Sequence, residues 1–261
     1  MQLALPTEAA ANYKSSSQRA RVATEAWGSD NLYCPNCAKE YLTSTPVNTP
    51  SVDYTCGGCE STFQLKSQSS PLSVRIVDSA YGKMCEAVRS KTAPSLFLVH
   101  YDKNRWSVSD VILVPHFAFS LSVIEKRKPL GPSAKRAGWV GCNILLGRIP
   151  VDARVQLVVN GTVVKPSQVR KQYALLRPLS SFTVETRGWT LNVLNEVRAL
   201  GKVKFTLEEV YRREFSLSLL YPNNHHIREK IRQQLQVLRD LGLIHFLGNG
   251  RYGLTAPTPK S

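Results

Sequence analysis

Short apolar runs separated by polar turns dominate the first two thirds of the chain, and this pattern is typical of strands. Residues 95–101 and 108–114 are β-rich runs on either side of the polar turn 102–105, which predicts a β-hairpin. Residues 154–160 predict a further strand that ends at an Asn-Gly turn, and apolar spacing predicts a helix over residues 16–27. Strands mixed with helices indicate an α/β or α+β domain.

The pattern becomes helical in the last third of the chain. Apolar spacing predicts three helices, over residues 190–200, 206–219 and 224–241. The second begins with a capping-box pattern formed by Thr206 and Glu209. Residues 243–247 and 251–254 predict two short strands around a Gly-Asn-Gly turn, and three helices followed by a hairpin are typical of a winged helix. We therefore expect a first domain, a winged-helix domain and a disordered tail, over residues 1–183, 184–255 and 256–261.

The apolar runs are too short for a membrane span. The longest, such as residues 111–114 and 144–146, end far below the ~20 apolar residues that cross a bilayer. The first six residues are apolar but lack the charged leader and the cleavage motif of a secretory signal. We therefore expect a cytoplasmic protein that does not bind membranes.

The charge of the chain favours a polyanionic partner. Its 261 residues include 34 Lys and Arg against 19 Asp and Glu, a formal charge of +15, and the parts of the chain before and after the boundary at Thr183 carry +10 and +5. Binding of phosphates by such a surface releases condensed counterions, which contributes to affinity for nucleic acids. Ribosome-associated, membrane-surface and heparin-binding proteins are also basic, so composition alone does not decide between these classes.

Four cysteines have the spacing of a metal site. Cys34 and Cys37 form one CxxC pair, and Cys56 and Cys59 form a second after eighteen intervening residues. This spacing predicts a tetrahedral zinc site, whereas two disulfides or four buried thiols are the alternatives. Four sulfur ligands leave no position for a substrate, so the zinc would be structural. The other two cysteines, Cys85 and Cys142, lie outside any paired spacing and are interpreted as small apolar residues.

A candidate catalytic strand lies within and after this cysteine segment. Strict alternation over residues 61–66 places Gln64 and Lys66 on one strand face, and Asp53 precedes them by about ten residues. An acidic residue followed by such a strand is found in Mg²⁺-dependent phosphodiesterases, where oxygen ligands hold the ion and the lysine assists the attacking water. The pattern is also that of an ordinary solvated edge strand beside a zinc knuckle.

The chain resembles the methylation-dependent restriction endonucleases of the DpnI type from about Tyr13 to Tyr252. The matching stretches occur in order along the chain, at residues 13–15, 20–21, 24–25, 27, 33–37, 65–67, 127–130, 136–139, 141–143, 187–190 and 227–235. The resemblance implies an α/β PD-(D/E)xK nuclease core with an inserted zinc site, followed by a winged helix. It also implies a monomer that cuts double-stranded GATC carrying N6-methyladenine, with Mg²⁺ as the catalytic metal.

The resemblance assigns roles to the candidate catalytic residues. Asp53 would be the first magnesium ligand, Gln64 would take the second ligand position, and Lys66 would be the lysine of the motif. Gln64 departs from the family pattern, which has an acidic residue there. A glutamine offers its carbonyl oxygen but no negative charge, so the chain could be a metal-demanding nuclease, an inactive methyl-DNA reader or a variant inactivated by substitution. Glu25 on the first helix is interpreted as a surface charge or as a residue that orients a metal-bound water.

Two segments are candidate DNA contacts. Residues 126–139 form a loop with five basic and no acidic residues, in which phosphate contacts are expected from Lys126, Arg127, Lys128, Lys135 and Arg136. Trp139 is either a buried core residue or an indole surface suited to the adenine methyl group, and the resemblance implies a position near the methylated adenines. In a winged helix the third helix enters the major groove, and the residues expected to contact DNA there are Asn223, Asn224, His225, His226, Arg228, Lys230 and Arg232, with Arg251 on the wing.

Overall fold

A computed structural model describes residues 1–46 and 49–255, and the predicted disordered tail lies outside the described residues. The helices, in chain order, are α1 (Ser16–Asn31), α2 (Tyr81–Arg89), α3 (Pro166–Leu176), α4 (Val184–Ala199), α5 (Leu207–Tyr211), α6 (Glu214–Leu220) and α7 (Ile227–Asp240). The strands are β1 (Thr43–Ser44), β2 (Tyr54–Thr55), β3 (Thr62–Gln68), β4 (Arg75–Ala80), β5 (Ser95–Asp102), β6 (Ser107–Val114), β7 (Ile124–Lys126), β8 (Gly141–Leu145), β9 (Val155–Val159), β10 (Thr162–Val163), β11 (Lys204–Thr206), β12 (Ile244–Gly248) and β13 (Arg251–Leu254). None of the described helices combines the length and apolar character needed to span a bilayer.

The chain divides into two compact units. The first contains residues 1–74, 92–116 and 154–174, and the second contains residues 75–91, 117–153 and 175–261. The fold class predicted from sequence, a mixed α/β core with a C-terminal winged-helix domain, is confirmed. The domain boundary after Thr183 stays a prediction.

The first unit is built on one mixed sheet, in the order β1-β2-β3-β5-β6-β9-β10. Strand β3 pairs antiparallel with β2 and parallel with β5. Its Phe63 is fully buried and stacks on Phe97 of β5 with ring centroids 5.3 Å apart. On the same face, Ser67 of β3 lies 2.9 Å from the Thr24 hydroxyl of α1, so alternation turns this row toward α1 and the even-numbered residues of β3 to the other face.

The second unit contains two small sheets. One has the order β4-β8-β7, and α2 packs against it. The other has the order β11-β13-β12. Helix α7 packs against β12 and α5 against β11, and Ile231, Leu235 and Leu238 of α7 are fully buried. This is the arrangement of a winged helix, in which the third helix precedes the hairpin that forms the wing.

Several predicted elements differ from the observed ones at their ends. Helix α4 begins at Val184, six residues before the predicted start, because the Thr183 side chain caps it by accepting the Thr186 N–H. The predicted helix 206–219 is two helices, α5 and α6, although the predicted capping box is present. Helix α7 begins at Ile227 rather than residue 224, because the Asn224 side chain accepts the His226 N–H in a local turn.

The hairpin and strand predictions of the first unit are confirmed within two residues. Strands β5 and β6 form the predicted hairpin, and β9 covers most of the predicted strand 154–160. The first helix continues four residues past its predicted end, to Asn31. Strand β11 was not predicted, since three residues carry too little apolar alternation to stand out in the sequence.

We expect Phe63→Ala to destabilise the protein by about 3 to 5 kcal/mol, because it removes a fully buried ring and leaves a cavity between β3 and β5. Phe215→Ala is a matched control, since that ring is 70% exposed and its loss should change the free energy of unfolding by less than about 0.5 kcal/mol. Urea unfolding of both variants measures the difference, and equal destabilisation would contradict the assigned core.

Candidate functional site

The four cysteines of the two CxxC pairs converge on one point. Cys34 and Cys37 follow α1, and Cys56 and Cys59 lie in the turn between β2 and β3. Their sulfur atoms all lie within 4.8 Å of one another, and the Cys34–Cys59 and Cys37–Cys56 sulfur distances are both 3.5 Å. The turn thus brings together pairs that are far apart in sequence.

The surroundings of the cluster act on its sulfur atoms in opposite directions. The Gly58 N–H points at Cys56 Sγ at 3.4 Å, and the Ser61 hydroxyl lies 3.1 Å from Cys59 Sγ. Burial raises the pKa of the Cys34 and Cys37 thiols. Burial also raises the pKa of the Cys59 thiol, but its hydrogen bonds with Ser61, Cys34 and Asn36 together outweigh that effect and lower the pKa to about 6. The thiolate is the form of cysteine that binds metals.

The cluster fits a tetrahedral ion. A zinc ion with Zn–S bonds of about 2.3 Å holds its sulfurs about 3.8 Å apart, within the spread of separations found here. Gly58 lies so close to Cys37 that a methyl group there would be 3.3 Å from the sulfur, which explains a small residue in this turn. Arg170 of α3 donates to the Cys37 carbonyl at 3.1 Å and so ties the first pair to the sheet domain. The described residues can therefore hold a metal ion at this cluster.

Asp53 is fixed to the candidate catalytic strand by its own carboxylate. Strand β2 pairs with β3 at Thr62 and Phe63, and the Asp53 N–H donates to the Phe63 carbonyl at 2.8 Å. One step further along β3, the Leu65 N–H donates to Asp53 Oδ2 at 2.7 Å. The Asp53 carboxylate thus accepts the Leu65 N–H in place of a backbone carbonyl from a neighbouring strand. Its second oxygen remains a candidate metal ligand.

Gln64 and Lys66 flank that contact on β3. The β2–β3 register continued by one residue places Asp53 opposite Gln64, and alternation puts Gln64 and Lys66 on one face. Both side chains are half-buried. The parallel pairing of β3 with β5 brings the two residues alongside Leu96 and Leu98, which are buried. The polar pair therefore borders an apolar part of the sheet, where charges interact more strongly than in water.

Glu25 shares a cavity with Asp53. The cavity has a volume of about 300 Å³ and lies between α1 and the segment before β2, and Gln64 and Lys66 do not line it. Glu25 forms an ion pair with Arg21 one turn earlier, at 2.8 Å, and its side chain is 40% exposed. The Tyr54 hydroxyl donates to the Glu25 carbonyl at 2.7 Å, which fastens the residue after Asp53 to α1.

The basic loop is an extension of the β7–β8 hairpin. Leu130 donates to the Trp139 carbonyl at 3.0 Å, and Gly138, at φ +79°, donates to the Leu130 carbonyl at 2.9 Å. The five predicted phosphate contacts of this loop are all exposed, at Lys126, Arg127, Lys128, Lys135 and Arg136. The hairpin therefore presents a row of cations to solvent.

Trp139 is half-buried at the base of this loop. Its indole lies against Gly141, where a methyl group would come within 2.8 Å of the ring. The Arg136 guanidinium lies over the same ring, 4.6 Å from its centroid. The indole therefore occupies the space that a side chain at position 141 would need.

The predicted DNA contacts of the winged helix lie at the start of α7 and on the wing. Asn223, His225 and His226 are exposed before the helix, Asn224 is half-buried, and Arg251 is exposed on β13. On the helix, Lys230 lies 5.9 Å from the centroid of the buried Trp189 ring. Their contacts with bases or phosphates stay predictions.

Two arginines of α7 have partners that the sequence did not reveal. Arg228 forms a two-pronged ion pair with Glu214 at 2.6 and 3.0 Å and lies over the Tyr211 ring. Arg232 donates to the Tyr211 hydroxyl. Glu214 and Tyr211 are 14 and 21 residues from these partners in sequence, so helical spacing within α7 gave no signal for them. A base contact by Arg228 would require it to leave Glu214.

Two family models match successive parts of the chain. Residues 1–182 match the Dam-replacing family, DpnI, and residues 185–253 match the Dam-replacing HTH domain found at the C-terminus of DpnI proteins. The first match contains the cysteine cluster, Asp53 and β3, and the second contains α7 and the wing. A helix-turn-helix domain indicates DNA binding, and the first match covers well over half of the chain. The chain therefore belongs to the Dam-replacing DpnI family, and this membership supports a nuclease of the methylation-dependent restriction type.

Proposed function

We propose that the protein is a restriction endonuclease that hydrolyses double-stranded DNA at GATC sites carrying N6-methyladenine, with Mg²⁺ as the catalytic ion. The observation that carries this proposal is the position of Asp53, whose carboxylate accepts the Leu65 N–H between Gln64 and Lys66. Those three residues form the Asp…(acid)-x-Lys arrangement of PD-(D/E)xK nucleases, with glutamine at the acidic position. The predicted monomeric state and cytoplasmic location are kept as part of the proposal.

The donor set suits a hard cation. Mg²⁺ prefers oxygen ligands, and Asp53 and Gln64 offer a carboxylate and an amide oxygen from neighbouring strands. When bound there, the ion would supply Lewis-acid stabilisation of charge on the scissile phosphate. Lys66, on the same face as Gln64, would hold a water near that phosphate and interact with the charge that develops on it.

Gln64 sets the metal requirement of this site. A glutamine contributes no charge, so Asp53 and the DNA phosphate would have to supply the negative charge around the ion. We therefore propose an enzyme that cleaves weakly or needs high metal concentrations, rather than a reader without activity.

The cysteine cluster is proposed to bind structural zinc. Four thiolates complete the coordination of the ion and leave no open position, which distinguishes structural from catalytic zinc sites. The cluster closes the turn between β2 and β3, a segment whose loops bury little apolar surface. Metal binding would supply folding free energy that this segment lacks.

DNA is proposed to bind through the basic loop and the winged helix. The exposed cations of residues 126–136 would contact phosphates, while Trp139 would contact the N6-methyl group in the major groove. The start of α7, with Asn223 to His226 and Arg228, would approach base edges, and Lys230, Arg232 and Arg251 would contact phosphates. The methyl group adds apolar area, and burial of that area against the indole would favour methylated DNA.

Restoring the acidic ligand by Gln64→Glu should increase cleavage of adenine-methylated plasmid by about tenfold or more at low Mg²⁺, because a charged ligand strengthens metal binding. Lys66→Ala should reduce cleavage by the parent by at least about a hundredfold while leaving DNA binding in place. Nicking assays across a Mg²⁺ titration, with binding measured in Ca²⁺, test both variants. No cleavage by Gln64→Glu at any metal concentration would favour a non-catalytic methyl-DNA binding protein.

The purified protein should contain one zinc ion per chain, and Cys34→Ser should lose that ion and much of its stability, because three sulfurs hold zinc less well than four. Cys85→Ser is the matched control, a buried cysteine outside the cluster, and should keep its zinc. Elemental analysis of both proteins measures this directly. A full zinc content in Cys34→Ser would remove that residue from the ligand set.

Gly141→Ala should weaken the preference for methylated over unmethylated duplex, because the added methyl group would push the Trp139 indole from its position. One buried methyl group contributes about 0.8 kcal/mol, so the ratio of dissociation constants should fall by up to about fourfold per methylated adenine. Gly131→Ala, in the same loop with open space around it, is the control that should keep the ratio. An unchanged ratio in Gly141→Ala would argue against methyl recognition by Trp139.

A further inference from the structure

The border between the two family matches lies inside one compact unit. The matches meet near residue 183, whereas the second unit joins residues 117–153 of the first match to the whole of the second match. The residues just before α4 therefore do not separate two independently packed bodies. The contacts across this border show how the two matches are joined.

Helix α4 packs closely on the segment that leads into β7. A methyl group at Gly188 would lie 3.3 Å from Ser120 Cβ and 3.0 Å from the Tyr221 hydroxyl, so only glycine lets the helix approach this far. One turn later, the buried Asn192 donates to Ser122 Oγ at 3.1 Å and to the Tyr221 hydroxyl at 2.8 Å. These contacts occupy one face of α4.

A buried ion pair lies further along the same helix. Arg198 donates through Nε to Asp152 Oδ2 at 2.9 Å and through Nη2 to Asp152 Oδ1. Only 14% of the Arg198 side chain and 6% of the Asp152 side chain are exposed. Removing one member of such a pair leaves an uncompensated buried charge, which is strongly destabilising, so this contact resists separation of the two segments.

The basic loop lies within the segment that contacts α4, between Ser122 and Asp152. Strand β7 begins directly after Val123, and the loop joins β7 to β8. Arg148, which follows β8, donates to the Ser122 carbonyl at 2.9 Å and so returns the far end of the hairpin to the same point. Ser122 is therefore held by α4 on one side and by the base of the hairpin on the other.

We propose that the winged helix and the basic loop form one rigid DNA-reading body, held together by α4, and that the chain around residue 183 is not a hinge. Asp152, Arg198 and Gly188 are positioning residues in this body, since they fix the two DNA-contacting elements at a constant separation. Contact of this body with DNA rests on the proposed function, whereas the docking of α4 on residues 120–152 does not. Once one of the two elements binds a duplex, the constant separation holds the other near the same duplex at a high effective concentration.

The test uses the full chain with a recognition site for a specific protease inserted between Phe182 and Thr183. After cleavage, the two fragments should stay together in size-exclusion chromatography at both low and 0.5 M salt (about a 4 Å Debye length), because the buried contacts are poorly screened. The nicked protein should bind methylated GATC duplex within about twofold of the uncut protein. Separation of the nicked parent fragments at either salt concentration would overturn the proposal.

Variants identify the contacts responsible. Nicked Arg198→Ala should release the winged-helix fragment and bind the duplex at least about tenfold more weakly than the nicked parent. Arg213→Ala is the matched control, because it removes another arginine ion pair of α4, with Glu196, that lies wholly within the winged helix, and its fragments should stay together. Arg198→Lys, which keeps the charge, should partly restore association, an effect that a general loss of folding would not produce.

Other results of these experiments would contradict either the role of the Asp152–Arg198 pair or the proposed function. Association of nicked Arg198→Ala would overturn the positioning role of the Asp152–Arg198 pair, and separation of nicked Arg213→Ala would show that α4 destabilisation alone releases the fragment. Circular dichroism of the uncut variants distinguishes separation from unfolding. Failure of the uncut parent to bind methylated duplex would contradict the proposed function, while co-elution of the nicked parent would still support the docking.

Discussion

The hydrogen bond from the Leu65 N–H to the Asp53 carboxylate is the contact on which the candidate catalytic site depends. It sets the position of an acidic side chain relative to a strand whose flanking residues are Gln64 and Lys66. Strand β2 begins only at Tyr54, so the next N–H along β3, that of Leu65, is bonded by the Asp53 side chain rather than by a strand backbone. An aspartate free of β3 would have many positions available to it, and the entropy of fixing it would count against metal binding.

The cysteine cluster acts on the same hairpin from its other end. Cys56 and Cys59 lie in the turn that joins Asp53 and β2 to β3, and the cluster connects this turn to the segment after α1 through Cys34 and Cys37. The two arms of the hairpin therefore cannot slide without moving the sulfur atoms. The cysteine cluster in the turn and the Asp53 carboxylate at the opposite end of the pairing therefore restrain the same β2–β3 register. The proposed structural zinc would in this way support the proposed catalytic ion without taking part in its chemistry.

Short sequence patterns predicted the structural elements that are formed by neighbouring residues. CxxC spacing, the alternation of β3 and the apolar stripe of α7 each lie within a short window, and the corresponding elements are present. The contacts that position the site join distant segments, as when Arg170 reaches Cys37 or Glu214 pairs with Arg228, and no window of sequence contains them. The Asp53 side-chain contact was also unpredictable, because strand alternation says which face a residue occupies but not where a neighbouring strand ends.

The difference between local sequence signals and contacts between distant segments also explains why the border between the family matches does not coincide with the border between the compact units. A family match follows continuous sequence, whereas packing follows buried contacts, and α4 makes its contacts with Ser120, Ser122 and Asp152 on the preceding match. Two of these contacts join polar groups that are buried in the folded chain, at Asn192 and Asp152. Separating the segments would restore hydration to these groups but would lose the fit of Gly188 and the ion pair together. A winged helix held in this way approaches DNA with the hairpin beside it, so the orientation of the two elements is set before any duplex binds.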